Sequence, residues 1–207
     1  MMLMVASTFQ WLLMQDGEVG YLPELFSLSE QQAYLLYFLN NVDWQEETLT
    51  LFGRQVVVPR KVAWYGDPEA IYSYSGLQHQ PMPWTAQLTA IKQRVERVCG
   101  QHFNSVLLNL YRNGSDYMGW HSDDEPELGD QPVIASVSFG ASRDFHLRRK
   151  QYKKNRLPVV KQTLTSGSCL LMQGTTQHNW QHSVPKRSLR TVNEPRVNLT
   201  FRWVKST

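Results

Sequence analysis

His121-Ser122-Asp123 sets an imidazole and a carboxylate two residues apart. On extended backbone side chains repeat with period two, so both groups can point the same way. They offer one nitrogen and one oxygen ligand to a metal, which is an incomplete set. A distant histidine would complete a 2-His-1-carboxylate facial triad, which holds one face of a ferrous ion and leaves the other open for a co-substrate and oxygen. The six histidines are residues 79, 102, 121, 146, 178 and 182. His178 and His182 are the candidates, since both follow the apolar stretch 167–174. In a jelly roll, strands far apart in sequence pair within one sheet, so either histidine could lie beside Asp123.

A second set of chemically useful residues lies near the C-terminus. In Arg196-Val197-Asn198-Leu199-Thr200-Phe201-Arg202-Trp203, the residues Arg196, Asn198, Thr200 and Arg202 share one strand face. Val197, Leu199, Phe201 and Trp203 share the other and suit a core. Taken alone, the polar face fits a solvent-facing strand of an antiparallel sheet. Asn109 and Tyr111 also share a face, close in sequence to the His-x-Asp. A small dicarboxylate could lie along such a surface with an arginine at each end, because guanidinium forks match carboxylates.

Positioning these groups requires a strand-rich body. Ser27-Leu28-Ser29-Glu30 fits a capping box, and Leu28, Gln32, Leu35, Leu36 and Leu39 follow at helical spacing, predicting a helix that ends near Asn40-Asn41. Residues 48–58 read as a hairpin turning near Phe52-Gly53-Arg54. A second helix is expected from Thr85 to Cys99, with Leu88, Ile91, Val95 and Val98 on one face and Gly100 as its stop. Beyond Gly100 the period becomes two. Strands are expected at 105–111, 133–139, 144–149, 162–164, 168–173 and 195–204, with no helix between them. That order argues for an antiparallel sandwich or jelly roll, an α+β, mainly β class. Residues 1–26 offer little pattern.

Length and charge bound the rest. The 207 residues fit one domain, and 42% hydrophobic content supports a packed core. Cys99 and Cys169 form no CxxC pair and read as reduced core thiols. The first basic residue is Arg54, so the apolar start lacks a signal-peptide n-region. No apolar run reaches the about 18 residues of a membrane span. A soluble protein is expected, cytoplasmic or, in a eukaryote, nuclear. Residues 1–53 carry seven acids and no Lys or Arg, whereas residues 54–207 carry 21 bases and 11 acids, a net +10. A basic body of that size suits a polyanion, most simply nucleic acid.

Over residues 48–204 the chain resembles the AlkB family of Fe(II)/2-oxoglutarate-dependent dioxygenases, nearest to animal homologues that repair alkylated DNA. The likeness rests on Pro59-Arg60-Lys61, Tyr65-Gly66-Asp67, residues 72–76, Asn109-Leu110-Tyr111, residues 121–125, residues 134–140, Arg143-Asp144-Phe145, His182-Ser183-Val184-Pro185 and residues 196–202. His-x-Asp alone is a weak signal. His-x-Asp, a distal histidine and Arg-x-Asn-x-Thr-x-Arg in that order are together a strong one.

The resemblance implies a double-stranded β-helix and three cofactors: Fe(II), 2-oxoglutarate and O2. It implies iron ligands at His121, Asp123 and His182, since His182-Ser183-Val184-Pro185 matches the family pattern around its distal histidine and His178-Asn179-Trp180 does not. Arg196 would hold the far carboxylate of 2-oxoglutarate, with Tyr111 and Asn198. Arg202 and Asn109, with Thr200, would lie toward the iron-chelating end. The implied activity is oxidative demethylation of 1-methyladenine and 3-methylcytosine in DNA, or in RNA, with release of formaldehyde; the alternatives are a hydroxylase of another substrate, RNA or protein, on the same scaffold, and a non-catalytic nucleic-acid-binding module. The target base must leave its stack. Tyr72, Tyr74 and Ser75 would line its pocket, and Asp124 and Glu125 would favour a cationic lesion. Phe52 falls where duplex-acting relatives carry a wedge. Arg54, Arg60, Lys61 and the basic run 148–156 would meet phosphates. No membrane or protein partner is implied. The expected layout is a single domain: 1–47 an N-terminal extension and helix, 48–83 a nucleotide-recognition lid, and 84–207 a helix plus the jelly-roll core.

Overall fold

The computed structural model describes residues 8–13, 15–51, 54–74, 77–151 and 157–205. Fourteen strands form two antiparallel sheets and a separate ribbon. In chain order they are β1 (Gln10–Leu13), β2 (Glu18–Leu22), β3 (Gln45–Leu51), β4 (Arg54–Gly66), β5 (Tyr72–Tyr74), β6 (Leu77–His79) and β7 (Ser105–Tyr111). Then follow β8 (Met118–His121), β9 (Ile134–Gly140), β10 (Arg143–Arg149), β11 (Val160–Leu164), β12 (Cys169–Gln173), β13 (Trp180–Val184) and β14 (Arg196–Arg202). The major sheet runs β1-β2-β12-β9-β14-β7-β4-β3, the minor sheet β11-β10-β13-β8, and β5-β6 is the ribbon. Two facing antiparallel sheets with crossovers between distant strands make a jelly roll, as the strand pattern predicts.

The expected elements form for the expected reasons. Helix α1 (Leu28–Asn41) starts at the capping box: Ser27 Oγ accepts from the Glu30 N–H and Glu30 accepts from the Ser27 N–H. Helix α2 (Ala86–Cys99) is capped by Thr85 and ends at Gly100, whose φ of 65° is left-handed. Both helices cover the outer face of the major sheet. There Phe38, Leu88, Ile91 and Val95 pack on Val137, Phe139, Val197, Leu199 and Phe201. Gly140, at φ 90°, ends β9 where a Cβ would sit 2.4 Å from the Pro195 carbonyl oxygen, so no larger residue fits.

A second apolar cluster fills the space between the sheets: Val19, Ile134, Phe145, Leu147, Leu164, Leu170 and Trp180. β14 is therefore covered on both sides, and all seven of its residues are buried. This excludes the solvent-facing reading of its polar face.

The N-terminal segment departs from expectation. Instead of a patternless extension, β1 and β2 build the edge of the major sheet, with Cys169–Gln173 paired in register to Leu22–Glu18. Four consecutive residues of β2, Val19 to Leu22, are buried, so no alternation marks the strand in the sequence. Lys61–Gly66 of β4 pair with β7, whereas Arg54–Val57 pair only with β3. The far half of this hairpin thus projects beyond the sheet, with Val56 and Val57 exposed. Among the described residues, no helix is long and apolar enough to cross a membrane.

Glu30 also joins the two helices. It pairs with Arg94 of α2 at 2.7 Å, and Arg94 lies over the Phe26 ring at 4.8 Å. The hydrogen bond from Arg94, aided by those from Ser27 and opposed by burial, lowers the Glu30 carboxyl to about 2. A depressed carboxyl stabilises the fold above its unfolded value and loses that contribution as pH falls through its folded value. Denaturation midpoints of the wild type and Glu30→Gln should therefore differ most above pH 4.5 and converge as pH approaches 2. The gap at neutral pH should be about 1 kcal/mol, since the group is partly exposed; a gap constant with pH would contradict this.

Candidate active site

β8 and β13 pair with His121 directly opposite His182. That register brings the two imidazole centroids to 4.1 Å, and His121 Nε2 lies 3.6 Å from Asp123 Oδ1. Ligand atoms of His121, Asp123 and His182 all fall within 4.8 Å of one another. His178 is excluded from this cluster. It sits exposed on the helical turn Thr176–Asn179, with Nε2 against the Asp130 carbonyl.

The protonation states suit a metal. A carbonyl can only accept, so the 2.9 Å contact of His121 Nδ1 with the Gly119 oxygen places the proton on Nδ1 and leaves Nε2 as the donor atom. Burial pushes His121 down, against the pull of Asp123. Burial and the neighbouring His121 push His182 down to about 3, so it is neutral near pH 7. Burial resists ionisation of Asp123, but Arg202, His182 and His121 overcome it and hold the carboxyl well below the usual range. Two neutral imidazoles and one carboxylate at this spacing fit a ferrous ion.

Several contacts hold this set in place. Arg202 Nη2 donates to Asp123 Oδ2 at 2.8 Å, with both side chains buried. Gln177 Oε1 accepts from the Asp123 N–H at 2.9 Å, and Ser122 Oγ donates to the Trp180 carbonyl. Phe145 stacks on the His182 ring at 5.2 Å.

The polar face of β14 lines the same cavity, of about 60 Å³, with Asn109, Tyr111, Ser136 and Met172 among its walls. Register explains the grouping: Arg196 lies opposite Tyr111, and Asn198 is flanked by Asn109 and Ser138. Buried polar groups must be hydrogen-bonded, and most of these are. Asn198 Nδ2 donates to Ser136 Oγ at 2.7 Å, and Thr200 Oγ1 donates to Asn198 Oδ1 at 3.0 Å. Asn109 Nδ2 donates to Asn198 Oδ1 at 3.3 Å. Arg196 is incompletely satisfied. It is 1% exposed and donates to Ser138 Oγ, yet its Nε and Nη1 have no hydrogen-bond partner among the described residues. Burial pushes it down to about 10, offset in part by Tyr111. A buried guanidinium with spare donors and no carboxylate beside it is shaped for an anion.

The remaining predicted residues fall differently. Arg60 turns inward instead of toward phosphate. It is 4% exposed, lines the cavity, and donates from Nε to Asn109 Oδ1 at 2.7 Å. Strand alternation is the reason, since Val58, Arg60 and Val62 share the buried phase of β4. Asp124 is exposed and pairs with Lys150 at 2.8 Å, and Glu125 precedes the 3-10 turn Pro126–Leu128; neither lines the cavity. Within the basic run, Arg148 lies over Trp120 at 4.1 Å, and Arg149 pairs with Asp16. Tyr72 and Tyr74 lie on β5. Phe52, Ser75 and residues 152–156 lie outside the described residues.

Sequence reasoning missed Ser136, Ser138, Phe145 and Gln177. The serine alternation in Ile134-Ala135-Ser136-Val137-Ser138 is visible in the chain. It gains meaning only once β9 is known to lie beside β14.

With this geometry in view, the comparisons with known proteins fall into place. The model of the 2OG-Fe(II) oxygenase superfamily matches residues 18–202. The human protein "Alpha-ketoglutarate-dependent dioxygenase alkB homolog 3" is 43% identical over 188 residues, covering 88% of this chain and 64% of its own length. Human "DNA oxidative demethylase ALKBH2" is 47% identical over 158 residues, covering 74% of this chain and 60% of its own. The solved structure titled "The structure of OsALKBH1" superposes with a TM-score of 0.64 at 18% identity, covering 89% of this chain and 97% of that one, which shows the shared fold. The Arabidopsis thaliana protein "DNA oxidative demethylase ALKBH2" is 34% identical and covered to 67% of its length, so the chain is a member of the 2OG-Fe(II) oxygenase superfamily and, within it, of the AlkB family. It spans less than two thirds of the length of the two human relatives.

Replacing Arg202 by Met should expose the cost of the buried pair with Asp123. Removing one member of such a pair destabilises by about 3–5 kcal/mol. Urea unfolding of metal-free protein should show a loss of that order; a loss under about 1 kcal/mol would mean that the pair is held mainly by solvent.

Proposed function

We propose that the protein is an Fe(II)/2-oxoglutarate-dependent demethylase that repairs N-alkylated bases, 1-methyladenine and 3-methylcytosine, in DNA. The observation carrying this reading is the buried Arg196, aimed with spare donors along the same cavity that holds the His121–Asp123–His182 cluster. An anion site and a facial triad in one chamber are what a co-substrate chelated to iron requires. The name of the ALKBH2 relative, a DNA oxidative demethylase, supplies the substrate class.

His121, Asp123 and His182 would hold the iron. Arg196, with Tyr111 and Asn198, would receive the far carboxylate of 2-oxoglutarate. Arg202, Asn109 and Thr200 would serve the iron end, in keeping with the Arg202–Asp123 contact. When bound, iron with 2-oxoglutarate and oxygen supplies the oxidation of an N-methyl group, which then leaves as formaldehyde. The protein's part is placement and exclusion of water. Arg202 keeps Asp123 ionised, and the Gly119 carbonyl fixes the His121 tautomer. Arg60, braced on Asn109, walls the cavity beside the co-substrate rail.

The substrate side rests on the β3–β4 hairpin and the β5–β6 ribbon as a nucleotide-recognition lid over a single domain. Phe52, which lies in sequence between β3 and β4, would be the wedge that replaces a flipped base. Tyr72, Tyr74 and Ser75 would face that base. Asp124 and Glu125 would place negative charge near its mouth, favouring the cationic lesion over the neutral base.

With iron and 2-oxoglutarate, the protein should release formaldehyde from an oligonucleotide containing 1-methyladenine, and His121→Ala should reduce this at least about 100-fold. Turnover of 2-oxoglutarate without loss of the methyl group would overturn the proposed substrate. Phe52→Ala should slow duplex repair more than single-strand repair; equal slowing would remove the wedge.

A further inference from the structure

Arg143 has no part in the chemistry above, yet it is 2% exposed and deeply placed. It opens β10 in the minor sheet, on the same inward phase as Phe145 and Leu147. Its guanidinium donates to three carbonyls from two separate segments. Nη1 reaches the Asn113 oxygen at 3.1 Å, and Nη2 reaches those of Asp116 at 2.8 Å and Pro185 at 2.9 Å. It therefore ties the turn after β7 to the end of β13. The same two segments are bound elsewhere: the Gly114 N–H donates to the Val192 oxygen, and the Arg187 N–H donates to the Gly114 oxygen.

The other partner of Arg143 is Tyr111. The Arg143 guanidinium carbon lies 5.5 Å from the Tyr111 ring centroid, and that of Arg196 lies 5.1 Å from it. Two buried guanidiniums from opposite sheets thus converge on one aromatic side chain of the cavity wall. Neither forms an ion pair with a carboxylate among the described residues. Burying two positive charges together without a counter-anion is expensive. An anion in the cavity beside Arg196 would lower that cost. Burial depresses the Arg143 guanidinium as well, opposed by Tyr111 and by the nearby Asp116 and Asp144 carboxylates.

We propose that Arg143 is a positioning residue for the far carboxylate of the co-substrate. It orients Tyr111, locks the 113–116 turn to Pro185, and adds a second buried positive charge behind the first. This rests on the reading that Arg196 receives that carboxylate. Nothing in the geometry brings Arg143 itself into contact with the ligand, because it does not line the cavity.

The test compares two ligands under anaerobic conditions on protein loaded with Mn(II). One is 2-oxoglutarate; the other is 2-oxopentanoate, which keeps the chelating end and lacks the far carboxylate. Titration calorimetry reads both affinities. Arg143→Met should weaken 2-oxoglutarate about tenfold, the scale of outer-shell contacts, and leave 2-oxopentanoate within about twofold. Arg143→Lys keeps the charge and loses the fork, so its loss should be smaller and equally selective. Unchanged 2-oxoglutarate affinity, or equal weakening of both ligands, overturns the proposal. If Arg143→Met does not fold, the Lys variant decides by the same comparison. Arg196→Met is the reference. Should it fail to separate the two ligands, the assignment of the far carboxylate falls and this inference with it. Should it separate them while the Arg143 variants do not, only this inference falls.

Discussion

The contact between Arg202 and Asp123 carries the active site across the sandwich. Arg202 closes β14 in the major sheet, and Asp123 follows β8 of the minor sheet. Each charge would be costly to bury alone, and together they are tolerated only at short range and in good alignment. That demand fixes the distance between the strand carrying Arg196 to Arg202 and the loop carrying Asp123. It also keeps Asp123 ionised, the form a metal would need. Without it, the two halves of the chemistry would be held to one another by apolar packing, which is far less directional.

Around this pair the molecule gives up apolar packing where most sandwiches keep it. The space between the sheets is divided. Phe145, Leu147, Leu164, Leu170 and Trp180 fill one part as ordinary core. Arg60, Asn109, Ser136, Ser138, Asn198, Thr200 and two arginines occupy the rest, all nearly buried. Such a polar seam costs stability unless its groups satisfy each other. Asn198 satisfies it best, engaging Asn109, Ser136, Thr200 and the Val137 carbonyl at once. Arg196 Nε and Nη1, by contrast, have no hydrogen-bond partner among the described residues. The outer face of the major sheet, packed by α1 and α2 through Phe38, Ile91 and Val95, supplies the stability that the seam withholds.

Local signals in the chain were legible to within a residue or two. The capping box at Ser27, the Thr85 cap and Gly100 stop, and the strand at 105–111 all form as their patterns dictate. The His-x-Asp and Arg-x-Asn-x-Thr-x-Arg motifs were visible as sets of side chains on one face. β1, β2, β8 and β13 were not expected as strands, because they are short and mostly buried on both faces or bent at irregular register. Arg60 was misassigned because an arginine in a basic stretch reads as a surface residue until its strand phase is known.

The division follows from what periodicity can encode. Consecutive residues determine helix or strand, the face each side chain shares, and therefore the two ligands of His121-Ser122-Asp123 and the four members of the arginine strand. They also carry the family likeness that favours His182. The tertiary structure alone decided that His182 and not His178 stands opposite His121, that the polar face of β14 is buried, and that Arg60 and Arg143 point inward. Those outcomes depend on which strands become neighbours and in what register, and pairing over tens of residues is set by the packing of the whole sandwich.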